Sequence, residues 1–268
     1  MAATCAKSLL CILVLLLTLP AAAGTDPTEY QFLWSDGAYL HRVALNGATV
    51  ASGAAISISL PLYISKYLVD GHNELEVEYT SDSRVGLTVA VETRAKEPRR
   101  VEVARFHSPP GESRGASVVK TLAFTVHVHP QPPLHLTDAD REAILAVLQS
   151  YYATLVRRDG AGLGKLYAKA MEEDAPIYPE GIGVFQWVLG DSQRMLAAPQ
   201  FHMKPFQRTG LLFSIAGQVV VVTKPDGTPV VESDAGEPGD GAQAGFNPES
   251  VAFEKYDGRW YLALPFGF

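Results

Sequence analysis

The stretch His129-Pro130-Gln131-Pro132-Pro133-Leu134-His135-Leu136-Thr137-Asp138-Ala139-Asp140 divides the chain in two. Proline has no backbone donor and keeps the residue before it extended, so residues 130–136 read as a linker. Thr137 and Asp140 then stand at the spacing of a helix-capping box, with acidic groups beside the positive end of the helix they would open. A β-type pattern lies upstream and a helical one downstream. The expected organisation is an all-β domain over residues 28–129 and an α+β domain over residues 137–268.

Working back from the linker, β-rich segments fall at Tyr39 to Leu45, Ile56 to Leu60, Glu74 to Thr80, Val85 to Thr93, Val101 to Phe106 and Val118 to His129. Leu75, Val77 and Tyr79 alternate with Glu74, Glu76 and Glu78, the period of a strand with one wet face. Several such strands in so short a span predict an antiparallel sandwich. Val43-Ala44-Leu45-Asn46-Gly47, the run Ile58 to Leu68, and Asp70-Gly71-His72-Asn73-Glu74-Leu75 together resemble the galactose-binding-like jelly roll. That resemblance implies an Asn-Gly hairpin, a short bent or helical segment ending at Tyr67-Leu68, and a glycine turn leading into a strand. These positions make turns and carry no sugar specificity, and Trp34 is the one tryptophan in this half that could stack on a sugar.

Working forward, Ile144, Val147, Leu148, Tyr151, Tyr152 and Leu155 recur at spacings of three and four, an apolar stripe along one helix. Gly160 and Gly162 interrupt it, and Leu163 to Ala170 predicts a second, shorter helix. Asp159 reads as a cap for that segment. Two hairpins are expected at the end of the chain: Gln218 to Thr223 with Thr228 to Glu232 about Pro225-Asp226-Gly227, and Val251 to Tyr256 with Arg259 to Leu264 about Asp257-Gly258. The segment Glu232 to Gly245 reads as a mobile loop. The opening helix pattern and the closing Val251-Ala252-Phe253-Glu254-Lys255-Tyr256-Asp257-Gly258-Arg259-Trp260 resemble the NTF2-like superfamily, an α+β cone that includes ketosteroid isomerase-type members. The resemblance implies a pocket between the long helix and the sheet, used in that superfamily by isomerase-type and dehydratase-type enzymes and by noncatalytic binding domains.

An enzyme of that kind needs an Asp or His as general base in the pocket. His202 and Asp159 are the conventional candidates, and neither sits in a motif that demands catalysis. Tyr178, Phe185, Trp187, His202 and Phe206 are the candidate ligand or partner contacts, drawn from a segment rich in aromatics, proline and glycine. Gly181-Ile182-Gly183 lacks the dinucleotide fingerprint, and Ser192, Ser214 and Ser250 lack a nucleophile-elbow setting. His127 and His129 share a strand face near His107 and His135, but no third ligand has diagnostic spacing. The run Glu172-Glu173-Asp174 reads as a solvated helix end. No cofactor or metal is implied.

The first 23 residues read as an export signal: Lys7, an apolar core over Leu9 to Leu19, and Ala21-Ala22-Ala23 before Gly24. The apolar run is short of the roughly 20 residues a membrane span needs. Cys5 and Cys11 both lie within it, so the mature chain would have neither disulfide nor thiol chemistry. The whole chain carries 22 basic and 29 acidic residues; losing Lys7 leaves 21 minus 29, or −8. Such a charge repels nucleic acid and anionic membrane surfaces. The cluster Arg94, Lys96, Arg99, Arg100 and Arg105 is interleaved with Glu92, Glu97 and Glu102 and reads as a solvated strand pair.

These features lead to a periplasmic or secreted binding or protein-interaction module whose partner is a protein or a small apolar ligand. The alternatives are an isomerase- or dehydratase-type enzyme using the pocket, and an immunity or accessory protein for a secreted toxin.

Overall fold

The structure is a computed structural model and describes residues 29–34, 38–52, 62–81, 86–93, 101–112, 116–128, 131–234 and 248–265. The expected signal, the run Ile56 to Leu60, most of the Glu232 to Gly245 segment and most of the basic cluster lie outside these residues.

Asn46 and Gly47 take positive φ, 51° and 81°, the conformation that matches a two-residue turn to the twist of a hairpin. They join β2 (Ala38–Leu45) to β3 (Ala48–Ser52). The glutamate-alternating segment is β5 (Gly71–Ser81), with Leu75, Val77 and Tyr79 fully buried. With β8 (Val118–Val126) these form one antiparallel sheet, ordered β3-β2-β5-β8. The second sheet, also antiparallel, comprises β1 (Tyr30–Trp34), β4 (Leu62–Tyr63), β6 (Leu87–Thr93) and β7 (Glu102–Ser108), ordered β4-β1-β6-β7. Phe32, Leu45, Ile64, Leu75, Val89 and Val91 meet in one core between the sheets. The N-terminal half is thus all-β and antiparallel.

Asn73 locks two turns of this half together. Its fully buried amide oxygen accepts from Asn46 Nδ2 and from the Val69 amide, both at 2.9 Å, while its nitrogen donates to Val69 O at 2.8 Å. Just before it, the bent segment is a 3₁₀ turn, Ser65–Tyr67, whose ends are fixed to β1: Ile64 N donates to Tyr30 O at 3.0 Å and Tyr30 N to Ser65 Oγ at 2.7 Å.

After the linker, α1 (Asp138–Val156) begins with the expected capping box, Thr137 Oγ1 accepting from Asp140 N at 3.1 Å. Asp140 also accepts from Trp260 Nε1 at 2.9 Å and pairs with Lys255 at 2.7 Å, tying the cap to the last hairpin. Those contacts hold its carboxyl well below the usual carboxylate range, Lys255 contributing most. Asp159 caps α2 (Gly160–Asp174), accepting from Gly162 N at 2.8 Å.

Two expectations need correction here. The Gly- and Pro-rich segment after residue 178 is a third helix, α3 (Pro179–Ala197). Proline fits a first helical turn, where its missing donor costs nothing. Gly181 leaves room for the Tyr178 ring, and Gly160 of α2 lets Gln193 of α3 approach. Residues 228–232, expected as a strand, form none. β10 (Val219–Thr223) already has β9 (Leu212–Ala216) on one edge and β11 (Ser250–Tyr256) on the other, so no free edge remains for that run. Val230 and Val231 are buried in the core all the same, with Val230 N donating to Pro248 O at 2.8 Å.

β12 (Arg259–Leu262) completes an antiparallel meander, β12-β11-β10-β9, reached through the expected Asp257-Gly258 turn with φ of 49° and 75°. The C-terminal half is therefore α+β, three helices on one face of a four-stranded sheet. The other face is not left to solvent. In β10, Val220 and Val222 join Ile144, Leu148, Phe185 and Phe253 in the helical core, while Val219 and Val221 join the sandwich core beside Val50 and Tyr67. One strand thus serves two cores, and β3 packs across β9, β10 and β11.

Candidate functional site

Where the halves meet, the 3₁₀ turn of the sandwich presses into the turn between β9 and β10. Gln218 N donates to Lys66 O at 2.9 Å, and Tyr67 Oη donates to Leu264 O at 3.3 Å. Gly217 makes this contact possible. Its φ is +56°, and a Cβ there would stand 2.4 Å from Lys66 O and 2.7 Å from Leu68 O.

Ile64 and Tyr67 anchor the turn in the sandwich core, which sends the side chain of Lys66 across the boundary. Its Nζ lies 2.8 Å from Asp174 Oδ2 at the end of α2 and 2.9 Å from Glu254 Oε1 on β11. All three side chains are nearly sealed, at 13, 9 and 7% exposure. Tyr256 Oη donates to the other Glu254 oxygen. Burial works against the Lys66 ammonium, but the carboxylate of Glu254, with Tyr67 and Asp174, outweighs it and raises its pKa. Burial raises Glu254 as well, opposed by Lys66 and reinforced by Asp174. Two carboxylates thus share one ammonium.

These groups floor a cleft of about 710 Å³ between the halves. The sandwich supplies Glu29, Tyr63, Leu68 and Val69 to its walls; the linker supplies Pro133 and Leu134; the C-terminal half supplies Glu173, Ile177, Ile215 and Tyr256. Burial first, then the Glu29 carboxylate beside it, keep the Tyr63 phenol well above its ordinary value and therefore protonated.

The five residues singled out from the sequence are not gathered at one place. Tyr178 stands behind the cleft wall, its ring centroid 5.8 Å from that of Tyr63. Phe185 lies in the helical core against Tyr167 at 4.9 Å, and Tyr167 meets Tyr151 edge-on at 6.3 Å. These rings fill the space between helices and sheet, and burial pushes the Tyr167 phenol up to about 12. Trp187 is 62% exposed on α3. His202 is exposed beyond the end of α3, and Phe206 packs on Tyr152 with centroids 5.4 Å apart.

The run at the end of α2 does not behave as a solvated helix end, because Asp174 is buried against Lys66. Only Glu172 and Glu173 keep to the surface, each pairing with Lys169. Lys66, Asp174 and Glu254 escape a reading of the sequence because they lie on three unrelated segments. The one hint is a lysine within a largely apolar run, Ile64-Ser65-Lys66-Tyr67-Leu68. Of the histidines considered as metal ligands, His107 bonds Thr88 at 3.0 Å and His127 lies 3.5 Å from Asp70. Among the described residues no helix is long and apolar enough to cross a membrane. No family model, curated protein or solved structure matches this chain.

Proposed function

We propose that the chain is an exported, noncatalytic binding module that holds a small, largely apolar ligand in the cleft between its halves. The observation that supports this reading is the cleft itself, about 710 Å³ and walled by both halves and the linker. Pockets for small molecules run from about 300 to 1,000 Å³, are lined chiefly by apolar groups and favour domain boundaries. The ionisable groups on the floor are committed to one another, Lys66 to two carboxylates and Tyr256 to Glu254, which suits holding a ligand better than passing protons to it. An origin outside the cytoplasm follows from the reading of residues 1–23 as a signal.

A thermal-shift screen of small apolar and amphipathic compounds tests the proposal, run in parallel on the chain and on Ile215→Arg. Ile215 is exposed and lines the cleft, so arginine there blocks it without entering a core. A ligand at 100 times its Kd is expected to stabilise the parent chain by about 2.7 kcal/mol and to leave the blocked variant unchanged. Compounds that stabilise both equally would place the site elsewhere. A compound consumed by the parent and spared by the variant would make the protein an enzyme.

A further inference from the structure

We infer that the cleft selects an organic cation, a primary amine carried on an apolar body. This rests on the binding-module reading and adds the chemistry of the ligand. Five carboxylates line the cleft, those of Glu29, Asp70, Glu173, Asp174 and Glu254, against the ammonium groups of Lys66 and Lys255.

The ion pairs show which charges are already answered. Lys255 is drawn to Asp140 at 2.7 Å, and Glu173 is held by Lys169 at 2.5 Å. Asp70 stands by His127 at the exposed rim. Lys66 answers one charge of the Asp174 and Glu254 pair and leaves one over. Glu29 has no cation beside it among the described residues: the Tyr63 phenol is its hydrogen-bonding neighbour, and its Oε2 is shut off from solvent with no donor. A carboxylate oxygen shut off from water without a counter-charge is costly, so a guest cation gains from the compensation it brings.

The walls specify the remainder of the ligand. Leu68, Val69, Leu134, Ile177 and Ile215 offer apolar surface to a hydrocarbon or aromatic body. Tyr63 also lines the cleft, and an aromatic ring is of the kind that attracts ammonium groups. A hydrated metal ion would leave those walls uncovered, and an anion would meet the carboxylates.

The test is calorimetric titration of the full chain with three probes of one shape: phenethylamine, phenethyl alcohol and phenylacetate. The amine is expected to bind, the alcohol at least about tenfold more weakly, and the acid not at all, because a charge-assisted hydrogen bond is worth roughly twice a neutral one. Glu29→Gln is expected to weaken the amine about tenfold and leave the alcohol unchanged. Val69→Lys, at an exposed wall position, supplies a resident ammonium and is expected to abolish amine binding while the melting temperature holds. If alcohol and amine bind alike, the cation assignment falls and the binding-module reading stands. Amine binding that survives both variants, or no binding of any probe, also overturns the assignment, and the screen against Ile215→Arg then judges the broader reading alone.

Discussion

Three buried charges from three segments make Lys66 the side chain on which the junction depends. Replacing it with Met leaves Asp174 and Glu254 facing each other with no cation, and breaking a buried pair this way typically costs about 3–5 kcal/mol. Glu254→Gln removes the surplus charge and keeps the shape, so it is expected to be neutral or stabilising near pH 7. The two substitutions should also differ in their pH response. Glu254 is raised in the folded chain, so the native state binds its proton more tightly than the unfolded state, where a glutamate titrates near about 4.3. Stability from this group therefore increases as pH falls from neutrality toward that value. Asp140 runs the other way: its lowered carboxyl contributes above about 3.9 and loses that contribution as acid protonates it. Lys66, raised, keeps its charge to well beyond about pH 10.4 and supplies no slope in this window. Urea unfolding from pH 4 to 8 checks the set: Glu254→Gln should flatten the rise in stability on mild acidification, and an unchanged slope would show that Glu254 does not titrate there.

At the scale of elements, the turn between β9 and β10 decides whether the halves can meet. Gly217→Ala puts a Cβ against backbone, Lys66 O and Leu68 O, at a positive φ that alanine resists. Backbone cannot swing aside as a long side chain can, so the loss is expected to exceed the ~1 kcal/mol of strain alone. Gly227→Ala, at φ +71° in open space, isolates that strain, and similar melting temperatures for the two variants would contradict the close-approach argument. The same turn shows where the sequence was legible. Asn46-Gly47, Asp257-Gly258 and the Thr137 box were plain because each is made by neighbours in the chain. Ala216-Gly217-Gln218 was not, since its glycine answers to a carbonyl in the other half. Helix α3 was hidden for a related reason: Gly181, Gly183 and Gly190 weaken its local signal, and it is the packing of Tyr178, Ile182, Phe185 and Leu196 that stabilises it. The cleft was invisible altogether, because it exists only between segments that the sequence keeps apart.

For the whole molecule, the Pro-rich linker marks two patterns of structure, and one of the two cores is built by residues from both sides of it. Fragments 24–133 and 134–268 are expected to lose more than the linker, since the second exposes Ala216, Val219, Val221 and Ala263 and the first uncovers Val50, Tyr67 and Leu68. Burying a valine is worth about 1.5–3 kcal/mol, so each fragment should unfold at lower urea than the intact chain and bind a hydrophobic dye. Fragments that match the parent's midpoint would show that the shared core adds nothing. The double duty of β10 also has a bearing on time. On the ribosome, the sandwich strands emerge complete while the valines that close their outer surface are still to be made. The first half must then linger with a sticky flank until translation reaches Val219 and Val221, and during that interval any slowing of synthesis lengthens its exposure to chaperones and to premature association with a neighbouring nascent chain.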